Sequence, residues 1–403
     1  MDSLTQLTLG AAVGEVVLGK KAGNRAMVWG AIGGTIPDMD VFANLVSDEI
    51  SALAFHRAIT HSLFFAAVTP LLLGWLVSRM GTKPPLHWWK SAGLVWLSLF
   101  LLIGVGSLPM PFSAADAGAI GFSVSTVIMI FPVTVFLIRR LRNRHIDAEP
   151  IRWQAWAWLF FWAIVTHPLL DTCTTYGTQL FQPFHDHRAA IDNISVVDPL
   201  YTLPFLICLI LASRRQRGSK WRLRLNYLGI AISSAYMIFT FYNKYRVHEI
   251  FEQSLQREGI AYHRMTVSPS IFNNILWQGL AEGDTAYYHG MYSLLDREPR
   301  VLEFSTIPKG HNLLKPYEND RVAGILKWFS NGYYTVFVHP DGTLQFNDLR
   351  FGSLGETFKT EKDFVFRFIL KDKNGVLNAQ QNREQPPDAG AAFRRLWERI
   401  KGI

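Results

Sequence analysis

Apolar residues run in long blocks through the first 243 positions and in short alternating stretches after them. A helix crossing a hydrocarbon layer ~30 Å thick takes about 20 apolar residues. Blocks of that kind lie at 62–80, 88–106, 119–138, 153–170, 199–213 and 225–243, the fifth being the shortest. Two shorter apolar stretches, 4–18 and 26–37, precede them and are separated by a polar turn carrying Lys20, Lys21 and Arg25. These are too short to cross and predict a helical hairpin packed against the rest. The pattern over 1–243 therefore predicts a mainly α, polytopic transmembrane bundle of about six spans plus two short N-terminal helices.

From Lys244 onward the pattern changes. Strand-like segments at 275–280 and 286–294 flank a turn containing Gly283, and segments at 333–338 and 343–347 flank His339-Pro340-Asp341-Gly342. Asp-Gly between alternating apolar runs is a hairpin signal. A further strand is expected at 363–370, helices at 321–329 and 391–400, and a loop over the polar segment 372–388. Residues 244–403 thus read as a small α+β domain, separate from the membrane domain 1–243.

Composition sharpens the division. Only 18% of the 403 residues are charged, with 13 Trp and 28 Phe, whereas soluble proteins carry about 25% charged residues. This excludes a disordered or fibrous chain and argues against an ordinary soluble enzyme. The deficit belongs to residues 1–243, which hold 13 acidic and 19 basic residues. The net charge of +8 suggests nucleic acid only if the basic residues line one face. Under the six-span reading, seventeen of the 19 fall in alternate loops and only Arg57 and Arg188 on the other side. The positive-inside rule then places the basic loops in the cytoplasm, and 38–61, 107–118, 172–198 and the C-terminal domain outside. Topology accounts for the basic residues, so no nucleic-acid partner is expected. Met1-Asp2-Ser3 has no basic n-region of a signal peptide, and Cys173 and Cys208 form no metal or disulfide motif.

The residues with chemistry sit at the ends of apolar runs, all on the outer side in that topology. Asp38 and Asp40 end the second short helix, His56, Arg57 and His61 open the first span, His167 and Asp171 close the fourth, and Asp198 opens the fifth. His167 and Asp171 are i and i+4, on one helix face. Asp38 and Asp40 alternate, so an extended segment would turn both one way. Imidazoles with carboxylates and no thiolate cluster suit Zn²⁺, with Mn²⁺ or Fe²⁺ as alternatives, rather than a structural zinc site. The surplus of ligands predicts two metals, or one metal with a general base, Asp38 or Asp171. Each residue also has a plainer reading: Asp38 and Asp198 as helix-end residues, His56 and Arg57 as interfacial anchors, His167 as a satisfied core histidine. His185, Asp186, His187 and Arg188 form a second outer cluster on a loop with less preorganisation.

The order of these motifs carries a resemblance. Met1-Asp2-Ser3-Leu4-Thr5-Gln6, Gly33-Gly34-Thr35-Ile36-Pro37-Asp38-Met39-Asp40, His56-Arg57-Ala58-Ile59-Thr60-His61-Ser62, the segment 166–171 followed by Tyr176-Gly177-Thr178 and Gln182-Pro183-Phe184, and Val197-Asp198-Pro199-Leu200-Tyr201 resemble the YdjM family. These are inner-membrane proteins described as metal-dependent hydrolases, some of them LexA-regulated, and the tail resembles that of longer members. The resemblance implies a metal site built from Asp38, Asp40, His56, His61, His167, Asp171 and Asp198. One departure is Gln6, where family openings often carry His; a hydrogen-bonding role remains open to it. The resulting expectation is a hydrolase at the outer face of the cytoplasmic membrane, with membrane lipids around it. Its expected substrate is lipid-linked or phosphate-containing, and Arg57 is placed to hold the phosphate. The competing expectation is a non-enzymatic membrane protein, a metal-binding transporter or an assembly factor.

Overall fold

The computed structural model describes residues 1–45, 47–80, 151–353, 358, 363–382 and 389–402. The spans expected at 88–106 and 119–138 lie outside the described residues. The chain divides into two compact units: residues 1–172, 176–190 and 200–235 form the first, and 173–175, 191–199 and 236–403 the second.

The first unit opens with α1 (Ser3–Ala22), whose Asp2 cap accepts from the amides of Leu4 and Thr5. Gly23 follows with φ of 59°, and the chain returns as α2 (Asn24–Thr35). The two helices touch through Gly10, Gly14, Gly30 and Gly34. A Cβ at Gly30 would stand 2.2 Å from the Gly10 carbonyl oxygen, and one at Gly14 only 2.1 Å from that of Ala26. This is the small-xxx-small spacing that lets backbones approach closely. A 3-10 helix (Pro37–Leu45) follows, then α3 (Glu49–Phe55), capped by Asp48, and a single 3-10 turn, Ile59–His61. Next come α4 (Leu63–Met80), α5 (Trp153–Asp171), α6 (Pro199–Ser213) and α7 (Lys220–Arg257), within which the division between units falls. The core joins Phe65, Leu73 and Val77 of α4 to Leu159, Phe160 and Ile164 of α5. A buried ion pair, Arg222 Nε to Glu15 Oε1 at 2.6 Å, ties α7 to α1.

The six-span bundle is not what the described residues form. Among them, one helix alone, Lys220–Arg257, is long and apolar enough to cross a membrane. The pair Glu49–His61 and Leu63–Arg79 qualifies only as one span bent by 62°. The run at 153–170 is a helix that packs one face, Trp156, Leu159, Phe160 and Ile164, into the core and exposes Trp153, Trp158, Trp162 and Leu169 on another; its four tryptophans lower its mean hydropathy below that of an aliphatic span. At 15 residues, α6 is about 22 Å long, short of a ~30 Å hydrocarbon layer. Beside this apolar core the unit buries several polar groups and exposes many large apolar ones. Gln6, Glu15, His61, His167, Asp171 and Arg222 are buried, while Leu71, Trp158, Leu203, Ile207 and Tyr227 are exposed on its helices.

The second unit is built on two antiparallel four-stranded sheets. The first holds β1 (Arg264–Pro269), β2 (Leu276–Glu282), β3 (Ala286–Ser293) and β4 (Ser305–Pro308) in chain order. The second holds β5 (Tyr334–Val338), β6 (Leu344–Ser353), β7 (Phe364–Lys373) and β8 (Val376–Gln381), again in chain order. Helix α8 (Arg321–Phe329) starts on the Asp320 cap, and α9 (Ala389–Ile400) ends the chain's regular structure. Val247 and Phe251 of α7 pack on Val267, Trp277 and Tyr292 of the first sheet. The segment 372–388, read as a loop, contains β8. It is joined to β7 through Asn374 and Gly375, both at positive φ, as a primed hairpin turn requires.

His289 on β3 is buried, with neither ring nitrogen hydrogen-bonded among the described residues. Burial pushes its pKa down to about 4 from the ordinary 6.5. The unfolded chain then binds a proton between those values that the folded unit refuses, so this contribution to stability is complete above pH 6.5 and lost as pH falls toward 4. Acidification across that window is expected to destabilise the unit by about 3 kcal/mol. Denaturant titrations at pH 7 and pH 4.5 should show the loss, and His289→Leu should remove most of the difference.

Candidate metal centre

Four side chains from three separate stretches converge in the first unit: Asp38, His61, His167 and Asp171, with one ligand atom of each within 4.8 Å of all the others. Helix α5 delivers two of them, because His167 and Asp171 stand one turn apart in its last turns. Asp38 comes from the first turn of the 3-10 helix after α2, and His61 closes the 3-10 turn before α4. His61 Nε2 and His167 Nε2 are 3.1 Å apart. Asp171 Oδ2 lies 3.4 Å from each, and Asp38 Oδ1 lies 3.6 Å from His61 Nε2 and 3.4 Å from His167 Nε2.

The proton positions follow from the neighbours. His167 Nδ1 is 2.5 Å from the Gly34 carbonyl oxygen, which only accepts, so Nδ1 carries the hydrogen. His61 Nδ1 faces Thr60 Oγ1 at 3.1 Å and Asp40 Oδ2 at 3.3 Å, and its hydrogen is directed to that pair of acceptors. Both Nε2 atoms therefore face one another with two carboxylate oxygens beside them. With both rings neutral these are four acceptors without a donor, an arrangement that a divalent cation, or protons on the Nε2 atoms, would hold together. The backbone carbonyl and carboxylate behind the two imidazoles are the partners that metal-binding histidines use to fix tautomer and orientation. Burial alone would raise the Asp38 and Asp40 carboxyls, but the facing imidazoles outweigh it and hold both below the ordinary carboxylate range. Both are available as anions at neutral pH.

The surrounding residues hold the four in place. Asp40 is fully buried and also accepts from the Arg57 amide at 2.7 Å, from Thr60 Oγ1 at 3.3 Å and from the His56 ring at 2.9 Å. Arg57 adopts φ of 59°, a conformation disfavoured outside glycine, in which its amide reaches Asp40 while its Nε lies 3.2 Å from Asp171 Oδ2. Gln6 Nε2 donates to Asp171 Oδ1 at 2.9 Å, and the amino group of Met1 reaches the same oxygen. Asp171 and both histidine side chains are sealed from solvent, whereas the Asp38 side chain is 21% exposed. The centre opens on the Asp38 side.

Of the seven residues expected as ligands, the structure thus brings four together. Asp40 stands behind His61, and His56 pairs with Asp40 through Nδ1 while packing its ring edge against Tyr176. Asp198 belongs to the second unit, where its carboxylate accepts from the Tyr236 hydroxyl at 2.9 Å. Arg57 is engaged with Asp171. His185, Asp186 and His187 are exposed, while Arg188 binds the carbonyls of Tyr176, Gly177 and His56. Sequence reasoning carried Tyr176 and Gly34 only as part of a resemblance and gave them no role in the site: Tyr176 has the guanidinium carbons of Arg57 and Arg188 each 4.9 Å from its ring centroid, and the Gly34 carbonyl meets His167 Nδ1. Backbone acceptors leave no mark in a sequence.

A family model described as YdjM inner membrane protein matches residues 1–109 and 121–247. No match is found among curated proteins or among solved structures.

Proposed function

The chain belongs to the YdjM inner membrane protein family, and from that membership and the four-residue cluster we propose that it is a membrane-bound metal-dependent hydrolase. The observation that carries this reading is the pair of imidazole Nε2 atoms 3.1 Å apart, flanked by Asp38 and Asp171. Two imidazoles with two carboxylates suit Zn²⁺ first, then Mn²⁺ or Fe²⁺. A bound ion would supply Lewis-acid activation of water and of the scissile group. Asp171, held by Arg57 and Gln6, would hold the ion together with the two imidazoles. Asp38, the partly exposed carboxylate, would either complete the ligand set or accept the proton of the attacking water as general base. Asp40 fixes the His61 ring.

The apolar exposure of the first unit supports a lipid surrounding. In α7, the segment 225–243 carries no formal charge and follows Arg214, Arg215, Arg217, Lys220, Arg222 and Arg224. By the positive-inside rule those residues are cytoplasmic and the chain after 243 is periplasmic. The substrate in this reading is a phosphate-containing compound, lipid-linked because large apolar side chains are exposed on the helices that carry the centre. Detergent-purified protein is expected to hold on the order of one transition-metal ion per chain. It should also hydrolyse members of a panel of lipid-linked and soluble phosphate esters in a chelator-sensitive way. A folded protein that binds no such ion when dialysed against Zn²⁺, Mn²⁺ or Fe²⁺ would refute the reading.

A further inference from the structure

We propose that the turn Phe181–Phe184 is a lipid-seating wedge. It holds the mouth of the metal centre at headgroup depth, so that the substrate is an amphiphile taken from the bilayer rather than a soluble ester. The wedge stands on its own observations; only the substrate clause rests on the hydrolase reading.

Phe184 is 82% exposed and Phe181 51%, the former among the most exposed large apolar side chains described. They are not strays on a loose loop. The turn closes on itself through the Phe184 and His185 amides, which donate to the Phe181 carbonyl at 2.9 and 3.1 Å. The Thr178 and Ala189 backbones exchange hydrogen bonds at its base, and Gln182 Nε2 donates to Gln179 Oε1 at 3.0 Å. A rigid turn that presents two phenyl rings to the exterior presents them to something apolar.

The same turn is fastened to the metal centre. The Leu63 amide, two residues after His61, donates to the Leu180 carbonyl at 2.9 Å, and the Gln179 amide donates to the Arg57 carbonyl at 3.0 Å. Whatever fixes the depth of the wedge therefore fixes the depth of His61 and Arg57. Phe64 meets Phe184 edge-on, ring centroids 6.2 Å apart. From Phe64 the exposed apolar surface continues along one face of α4 through Val68, Leu71, Leu72 and Trp75. That stripe rises about 16 Å along the helix, and its continuity with the wedge matches a hydrocarbon layer better than a compact protein partner. Directly after the rings in the chain come the exposed His185 and His187, polar side chains able to meet headgroup phosphates. Aromatic tips with polar residues behind them are the arrangement found at membrane–water boundaries.

Depth measurement tests this. Phe184→Cys, and separately Phe181→Cys, are labelled with an environment-sensitive fluorophore in full-length protein reconstituted into phosphatidylethanolamine–phosphatidylglycerol nanodiscs. The native Cys173 and Cys208 are buried, and wild type taken through labelling is the blank. A label at Gly324→Cys, exposed on α8, is the aqueous control. The expected result is at least threefold stronger quenching by brominated acyl chains than at the control, with iodide quenching reduced by a similar factor. Labels quenched by iodide as strongly as the control, and untouched by brominated lipid, overturn the wedge whether or not any hydrolysis is found. In active protein, Phe181→Ser/Phe184→Ser is expected to lower turnover of a phosphate ester in vesicles at least tenfold, with soluble-ester turnover and metal content unchanged. Equal loss on both substrates overturns the substrate clause.

Discussion

Alanine at position 167 is expected to empty the metal centre: bound metal falls below a tenth of the wild-type content, and hydrolysis by at least a hundredfold, while the protein stays folded. His167 Nε2 lies within 3.4 Å of an atom of each of the other three ligands, so its loss removes the member that touches all of them. The Gly34 carbonyl also loses its donor. An unpaired buried acceptor costs about 1–3 kcal/mol, within reach of a protein whose α4–α5 core is untouched. Asp40→Asn should act more gently. It leaves all four ligands in place but weakens the acceptor behind His61 Nδ1, a change that typically lowers metal affinity 10–100-fold. Metal analysis by mass spectrometry, with thermal unfolding in detergent as the folding control, reads both. Full metal content in a folded His167→Ala protein would show that the cluster is an ordinary hydrogen-bonded core.

The difference between Asp38 and Asp40 shows what a sequence can convey about such a site. Treating 37–40 as extended turns both carboxylates the same way, but the segment is a 3-10 helix with about three residues per turn. Positions two apart then point in widely different directions, which puts Asp38 in the cluster and Asp40 behind His61. His56 and His61 part for a similar reason: the left-handed backbone at Arg57 comes between them, and nothing about an arginine announces positive φ. The His167–Asp171 pair was legible because helical spacing alone decides it. The membrane spans were overread because length and apolarity do not separate a helix packed on one face, such as α5, from a lipid-crossing one. Tryptophan counts toward both. Conversely, Asn374-Gly375 was a readable hairpin signal inside a segment whose polarity suggested a loop. Asp198 was expected among the ligands from its place at the end of an apolar run, but its carboxylate accepts from Tyr236, distant in sequence, a partner that its position before a helix does not reveal.

A single methyl group on the α1–α2 contact is expected to disturb the metal centre as well as the fold. In Gly30→Ala the new Cβ would meet the Gly10 carbonyl oxygen at 2.2 Å, Gly14 Cα at 2.9 Å and Gly14 N at 3.0 Å. All three are backbone atoms, so no side chain can swing aside and the helices must separate. Alanine's own advantage over glycine in a helix, about 0.5–1 kcal/mol, is smaller than the ~1–3 kcal/mol of overpacking, and the net effect is a lower unfolding midpoint. The consequence for the site follows from what the two helices carry. One turn beyond Gly30, the Gly34 carbonyl fixes the His167 ring, and on α1 Gln6 holds Asp171. Moving α1 from α2 pulls these two supports in opposite directions, so metal affinity is expected to drop about tenfold or more alongside stability. Gly324→Ala is the matched control: nothing lies within 4 Å of its Cβ, and the same substitution there should leave the midpoint unchanged or slightly raised. Gly30→Leu should deepen both losses together. A Gly30→Ala protein that loses stability but keeps its metal affinity would mean that His167 and Asp171 are positioned by α5 alone, and that the close contact serves only the packing of the N-terminal hairpin.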